Sequence, residues 1–155
     1  MWKILGGVVV GYLAMVVWVM LTFTGLWMVL GQEAAFEPGT SRVTGAWLAG
    51  SLPLAFLGAI LGGWVAARIG GVQREKAVWG LVGLVLVLGY LEAIMKLGAD
   101  PGALPAGDLG PFEAAAHAVQ PGWYLWTIPL FGALGVWLGG RAGRRDEAPA
   151  SEPAA

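Results

Sequence analysis

Four long apolar runs, residues 4–30, 44–69, 77–97 and 123–140, dominate this chain. Each is close to the roughly 17–25 residues that a helix needs to cross the hydrocarbon core of a bilayer. A backbone in lipid must satisfy its own hydrogen bonds, and for runs of this length the helix does so. The sequence therefore predicts an all-α integral membrane protein, a four-helix bundle. Charged residues make up 12% of the chain and hydrophobic residues 57%, with a mean hydropathy of +0.71. A soluble domain carries about 25% charged residues. Outside the runs lie two connections, a tight turn and a tail, none long enough for a second core. The predicted organisation is a transmembrane domain over 1–143 and a short cytoplasmic tail over 144–155. The Ala, Pro and acidic residues of that tail favour disorder.

The first run begins three residues from the start of the sequence, where a signal peptide would also lie. A secretory apolar region spans about 7–15 residues and ends at small residues. Run 4–30 is longer, and Gly31-Gln32-Glu33 is a poor cleavage signal. An uncleaved first span is expected. At 1.5 Å per residue this span is about 40 Å long, against roughly 30 Å of hydrocarbon. Tilt, or extension past the headgroups, would absorb the excess.

Basic residues gather at alternate ends of the runs. Lys3, Arg68, Arg74, Lys76, Arg141, Arg144 and Arg145 lie at one end, and only Arg42 and Lys96 at the other. The positive-inside bias places both termini and the 70–75 turn in the cytoplasm. The connections 31–43 and 98–122 then face outward, carrying Glu33, Glu37, Asp100, Asp108 and Glu113. Trp2, Trp27, Trp47, Trp79 and Trp123 fall near run ends, where an indole buries its ring and keeps its N–H wet. Trp18, Trp64, Trp126 and Trp137 read as packing elements.

The second and fourth runs share a word. Trp47, Ser51 and Pro53-Leu54 have the spacing of Trp123, Thr127 and Pro129-Leu130. Both runs then pass through Phe, Gly-Ala and a Gly-Gly pair, with the register drifting in that second half. Two hairpins related by a pseudo-twofold axis along the membrane normal would produce this pattern; chance resemblance in a Gly- and Trp-rich chain would too. Gly11-Tyr12-Leu13 and Gly89-Tyr90-Leu91 match as words but at different depths. Pro53 and Pro129 each remove a helix hydrogen bond, so matching kinks are expected, with Ser51 and Thr127 helping to satisfy the freed carbonyls.

Lipid supplies little hydrophobic force between helices, so close backbone approach at small residues must hold them together. Gly7-x3-Gly11, Gly58-x3-Gly62, Ala59-x3-Gly63, Gly135-x3-Gly139 and Gly139-x3-Gly143 are such strips. Whether they join helices within one chain or between copies is open at this stage.

Few side chains offer chemistry. Glu92 lies within an apolar run, where a carboxylate is costly. Lys96 follows at i+4, in the favourable order. Either Lys96 reaches outward and neutralises Glu92, or Glu92 takes up a proton or a cation in a polar cavity. His117, the sole histidine, pairs with Glu113 at i, i+4 on an expected short helix over 111–120. That is a weak metal-ligand pair: two ligands are too few, and Glu33, Glu37, Asp100 or Asp108 would have to complete the site. Glu33 and Glu37 form another i, i+4 pair. Without cysteine there is no thiolate metal site, iron–sulfur cluster or cysteine nucleophile. Phosphate-loop, nucleophile-elbow, dinucleotide and zincin motifs do not occur. The basic residues are too few for nucleic acid, but each could contact anionic lipid for about 1 kcal/mol.

Phe36-Glu37-Pro38-Gly39-Thr40, Gly62-Gly63-Trp64-Val65-Ala66-Ala67-Arg68 and Ala118-Val119-Gln120-Pro121-Gly122-Trp123, leading to Pro129 and Gly132-Ala133-Leu134-Gly135-Val136, carry a resemblance. In them the chain is similar to a loose group of small bacterial four-span membrane proteins without established activity. The resemblance implies a bacterial inner-membrane location and transfers no functional residue. The leading expectation is a non-enzymatic structural or accessory membrane protein, without cofactor or metal. It would be surrounded by lipid and would pack against itself or a larger membrane complex. The alternative is a transporter or channel component with Glu92 as its proton or cation site.

Overall fold

The computed structural model describes residues 1–105 and 107–143; the predicted tail lies outside them. Among these residues the fold is all-helical, with four long helices and one short one. They are α1 (Trp2–Ala35), α2 (Gly45–Gly70), α3 (Arg74–Met95), the short α4 (Pro111–His117) and α5 (Gly122–Ala142). Two helical stretches among the described residues, Trp2–Ala35 and Gly45–Met95, are long and apolar enough to cross a membrane. The second folds back on itself at a single 3-10 turn, Gly71–Gln73, and so supplies both α2 and α3.

Helix ends depart from the apolar runs for identifiable reasons. Helix α1 runs unbroken through 4–30 and breaks only beyond that run. Gly31 takes φ 71, ψ 173, a backbone conformation that costs glycine little, and the last turn to Ala35 swings out of the helical line. Gly71, at φ 53, ends α2 in the same permissive way. Helix α3 starts at Arg74, before its apolar run, because the turn from α2 is only three residues long. It ends at Met95, leaving Lys96 as its C-cap rather than inside a span. Thr44 caps α2 by accepting a hydrogen bond from the Trp47 N–H at 3.2 Å.

Helices α1 and α3 run parallel to each other and antiparallel to α2 and α5. The small-residue strips are consumed within the chain. On α2, Gly58 and Gly62 face α1, while Ala59 and Gly63, one position on, face α5. A Cβ on Gly11 would sit 2.8 Å from the Gly62 carbonyl oxygen, and one on Gly7 2.8 Å from that of Ala66. Gly58 makes room for the Trp18 indole, whose N–H donates to the Leu54 carbonyl at 2.9 Å. Across the α2–α5 seam, Gly135 lies against Ala59, Gly139 against the Ile60 backbone, Gly63 against the Val136 backbone and Gly143 against Ala67. Leu81 and Val136, both fully buried, centre the core with Ala59, Ala66 and Val78.

The α2–α5 contacts are reciprocal. The offset that carries Trp47 onto Trp123 and Pro53 onto Pro129 also carries Ile60 onto Val136 and Gly63 onto Gly139. Gly63 meets Val136 as Gly139 meets Ile60. The contact register thus holds through the second half of each helix, where the matching words drift.

The twin prolines do not share an environment. Pro53 is exposed, whereas Pro129 is buried with its ring against Gly89 of α3. The nearby hydroxyls also bond elsewhere than expected. A proline at 53 or 129 frees the carbonyl of Ala49 or Leu125, four residues back. Instead, Ser51 donates to Leu48 and Thr127 to Trp123.

Candidate functional site

The basic ends of the helices, with Lys3, Arg68, Arg74, Lys76 and Arg141, lie at one end of the bundle. Arg68 stacks over Trp64 at 4.8 Å and Arg141 over Trp137 at 3.6 Å. The two long connections fold together at the opposite end into an ordered cap. Val119 donates to Ser41 at 2.9 Å, Val43 to Val119 at 3.2 Å and Ser41 to Gly102 at 2.9 Å. Phe36 bridges to Val43 and Arg42 to Val119. This pairing shortens the expected 111–120 helix: Ala118 turns extended, so that 118–119 can pair with 41–43. It also separates Glu33 from Glu37, since Phe36 ends the helix between them in extended backbone. The displaced turn of α1 ties the connections together. Gln32 accepts from the Leu109 N–H at 2.9 Å and donates weakly to the Gly107 carbonyl at 3.5 Å.

Beneath the cap lies a second, smaller core of Ala35, Phe36, Val43, Leu109 and Ala114. Trp27 and Trp47, read from the sequence as interfacial anchors, pack edge-to-face on each other at 6.0 Å and on Phe36 and Phe23. The exposed indoles are Trp2, Trp79, Trp123 and Trp126, the last of them expected to be a packing element. Between this aromatic cluster, the cap-side half of α1 and α4 is a cavity of about 180 Å³. Its walls include Met20, Phe23, Trp27, Trp47, Phe112 and Ala115, and Thr24 contributes the only hydroxyl.

The polar candidates sit apart from this cavity. Glu92 and Lys96 form an ion pair of 2.9 Å, and the Glu92 side chain is 61% exposed. On α4, Glu113 and His117 are both exposed. Among the described residues no group of three or more His, Cys, Asp or Glu could hold a metal. One polar contact has no counterpart in the sequence reading. Ser51 and Tyr124 are buried between α2 and α5 with their hydroxyls 3.5 Å apart, and Glu92 interacts electrostatically with Tyr124. The hydroxyl at Ser51 stands out in the Trp–Ser–Pro word, whereas nothing in the sequence around Tyr124 marks it as Ser51's partner.

Comparisons with known protein families, with curated proteins and with solved structures yield no match.

Proposed function

We propose that this is a four-span, non-enzymatic integral membrane protein with a structural or accessory role. Both termini lie in the bacterial cytoplasm and the cap lies outside. The observation that carries this reading is the apolar exterior. Leu5, Leu13, Val17, Leu21, Leu57, Val87 and Ile94 are all exposed on the long helices. The most apolar windows of the two long stretches are only 11% and 22% buried, where the core helix of a water-soluble protein would be mostly covered. A soluble monomer rarely exposes contiguous apolar surface beyond a few hundred Å². Lipid accounts for this surface, and the charged residues keep to the two ends.

The reciprocal α2–α5 seam supports two hairpins related by a pseudo-twofold axis along the membrane normal. Because the glycine strips are used internally, a partner would meet this chain through its apolar outer faces. That partner is a second copy or a larger membrane complex. The transport reading has less support: Glu92 is paired with Lys96 at 2.9 Å and its side chain is largely exposed.

The chain has no cysteine, so single cysteines report topology cleanly. In sealed vesicles, Glu37→Cys and Gln73→Cys are expected to react with an impermeant maleimide from opposite sides. Labelling from the same side would overturn the four-span reading. In mild detergent the protein is expected to run as a species larger than one 16.1 kDa chain in its micelle, or with a copurifying membrane protein. A lone monomer would overturn the accessory role.

A further inference from the structure

We propose that the cavity beneath the cap is a binding site for one acyl chain of a phospholipid, taken from the leaflet on the cap side. This rests on the membrane reading above. The walls exclude a polar ligand. Phe23, Trp27, Trp47 and Phe112 surround the space, and Thr24 offers its single hydroxyl. Water needs two to four polar partners to occupy a buried site, and an apolar cavity of roughly 150 Å³ stays dry and accepts hydrocarbon. At about 180 Å³ this cavity is large enough for part of a hydrocarbon chain and too small for a headgroup or a folded segment.

The position of the mouth selects the occupant. Met20 on α1 and Phe112 on α4 line the cavity and are also exposed, at 47% and 65%. They mark an opening on the flank of the bundle rather than at its end. On α1 that opening is continuous with the apolar exterior of Val16, Val17 and Leu21, the surface that faces hydrocarbon in the membrane reading. Helix α4 sits over it as a short lintel, with Ala114 turned inward and Glu113 and His117 exposed. An acyl chain beside α1 therefore meets the cavity without crossing a polar barrier. What holds it there is contact with aromatic walls that would otherwise face a void, since dispersion lost at a gap is recovered when the gap fills.

The test uses the full chain in phosphatidylcholine vesicles, with a diazirine placed along one acyl chain of the lipid. After illumination, adducts are mapped by peptide mass spectrometry. Adducts on 19–27 and 111–118 are expected to exceed those on the 5–13 stretch, where Leu5, Val9, Val10 and Leu13 are exposed, by about tenfold. Ala115→Phe and Thr24→Phe, which narrow the space from opposite walls, are expected to remove that excess and leave the 5–13 adducts unchanged. Equal adduct densities at the two places in the unsubstituted protein would overturn the site while leaving the membrane reading intact. Absence of adducts anywhere on the helices would overturn both.

Discussion

Gly139→Val is expected to abolish the native bundle, and Gly63→Val to do the same. At each position the added Cβ falls on backbone: the Ile60 carbonyl for Gly139, the Val136 carbonyl for Gly63. A clash with a flexible side chain can be relieved by a rotamer change, but here α2 and α5 would have to separate along their length. Separation would undo the contacts of Gly135 on Ala59 and Gly143 on Ala67, and would expose Val136, now fully buried. Overpacking a core typically costs about 1–3 kcal/mol. With backbone on both sides of the clash, a loss of about 4 kcal/mol or more is expected, at the extreme of single substitutions. Gly83→Val supplies the control: nothing lies within 4 Å of a Cβ there, so a change within about 0.5 kcal/mol is expected. Thermal or denaturant unfolding in detergent, followed by circular dichroism, measures all three. Because the seam is reciprocal, the first two substitutions should cost nearly the same. A large difference between them would show that the two hairpins are not energetically equivalent.

The same seam shows what could be seen in the sequence and what could not. Apolar runs place helices well because hydropathy over some 20 residues is a strong local signal. They place helix ends poorly, since helical hydrogen bonding continues through Arg74, Glu75 and Lys76 where apolarity has stopped. The small-residue strips were visible, but their assignment was not. Two strips one residue apart on α2 serve two different neighbours, and only the relative placement of α1 and α5 reveals that. The prolines teach the converse: identical words at Pro53 and Pro129 meet opposite surroundings, because α3 covers one and nothing covers the other. The cap was invisible. Its bonds join 41–43 to 119, and Gln32 to 107–109. Pairing across such distances leaves no local pattern. The cavity was hidden for the same reason, since its walls come from four separate segments. Glu92 was singled out as an intramembrane carboxylate. Its position in the last turn of α3, largely exposed, depends on a helix ending at Met95 that apolarity alone does not mark.

Val17→Asp decides which solvent surrounds the bundle, because lipid and water demand opposite outcomes. Val17 lies midway along α1 and is 55% exposed, in an outward stripe with Val9, Leu13 and Leu21. Its side chain is not part of the buried core cluster, so the substitution tests the surroundings of the helix more than its packing. In water, replacing an exposed valine with aspartate would change stability by about 0.5 kcal/mol at most and would improve solubility. In lipid, an aspartate near the helix centre costs about 2.5–3.5 kcal/mol on insertion scales. Its short side chain cannot reach the headgroups as a lysine would. At 1.4 kcal/mol per factor of ten, this amounts to a loss of about a hundredfold in the insertion equilibrium constant. Alkaline extraction of membranes from cells expressing each form, with immunoblotting of pellet and supernatant, reads the inserted fraction directly. The expected result is a pelleted parent chain and a Val17→Asp variant that is degraded or released. A parent chain found in the supernatant, or a variant that is soluble and folded, would place water against α1 and remove the basis for the four-span arrangement. Leu81→Asp sets the scale: Leu81 is fully buried, so this change should disable folding in either solvent.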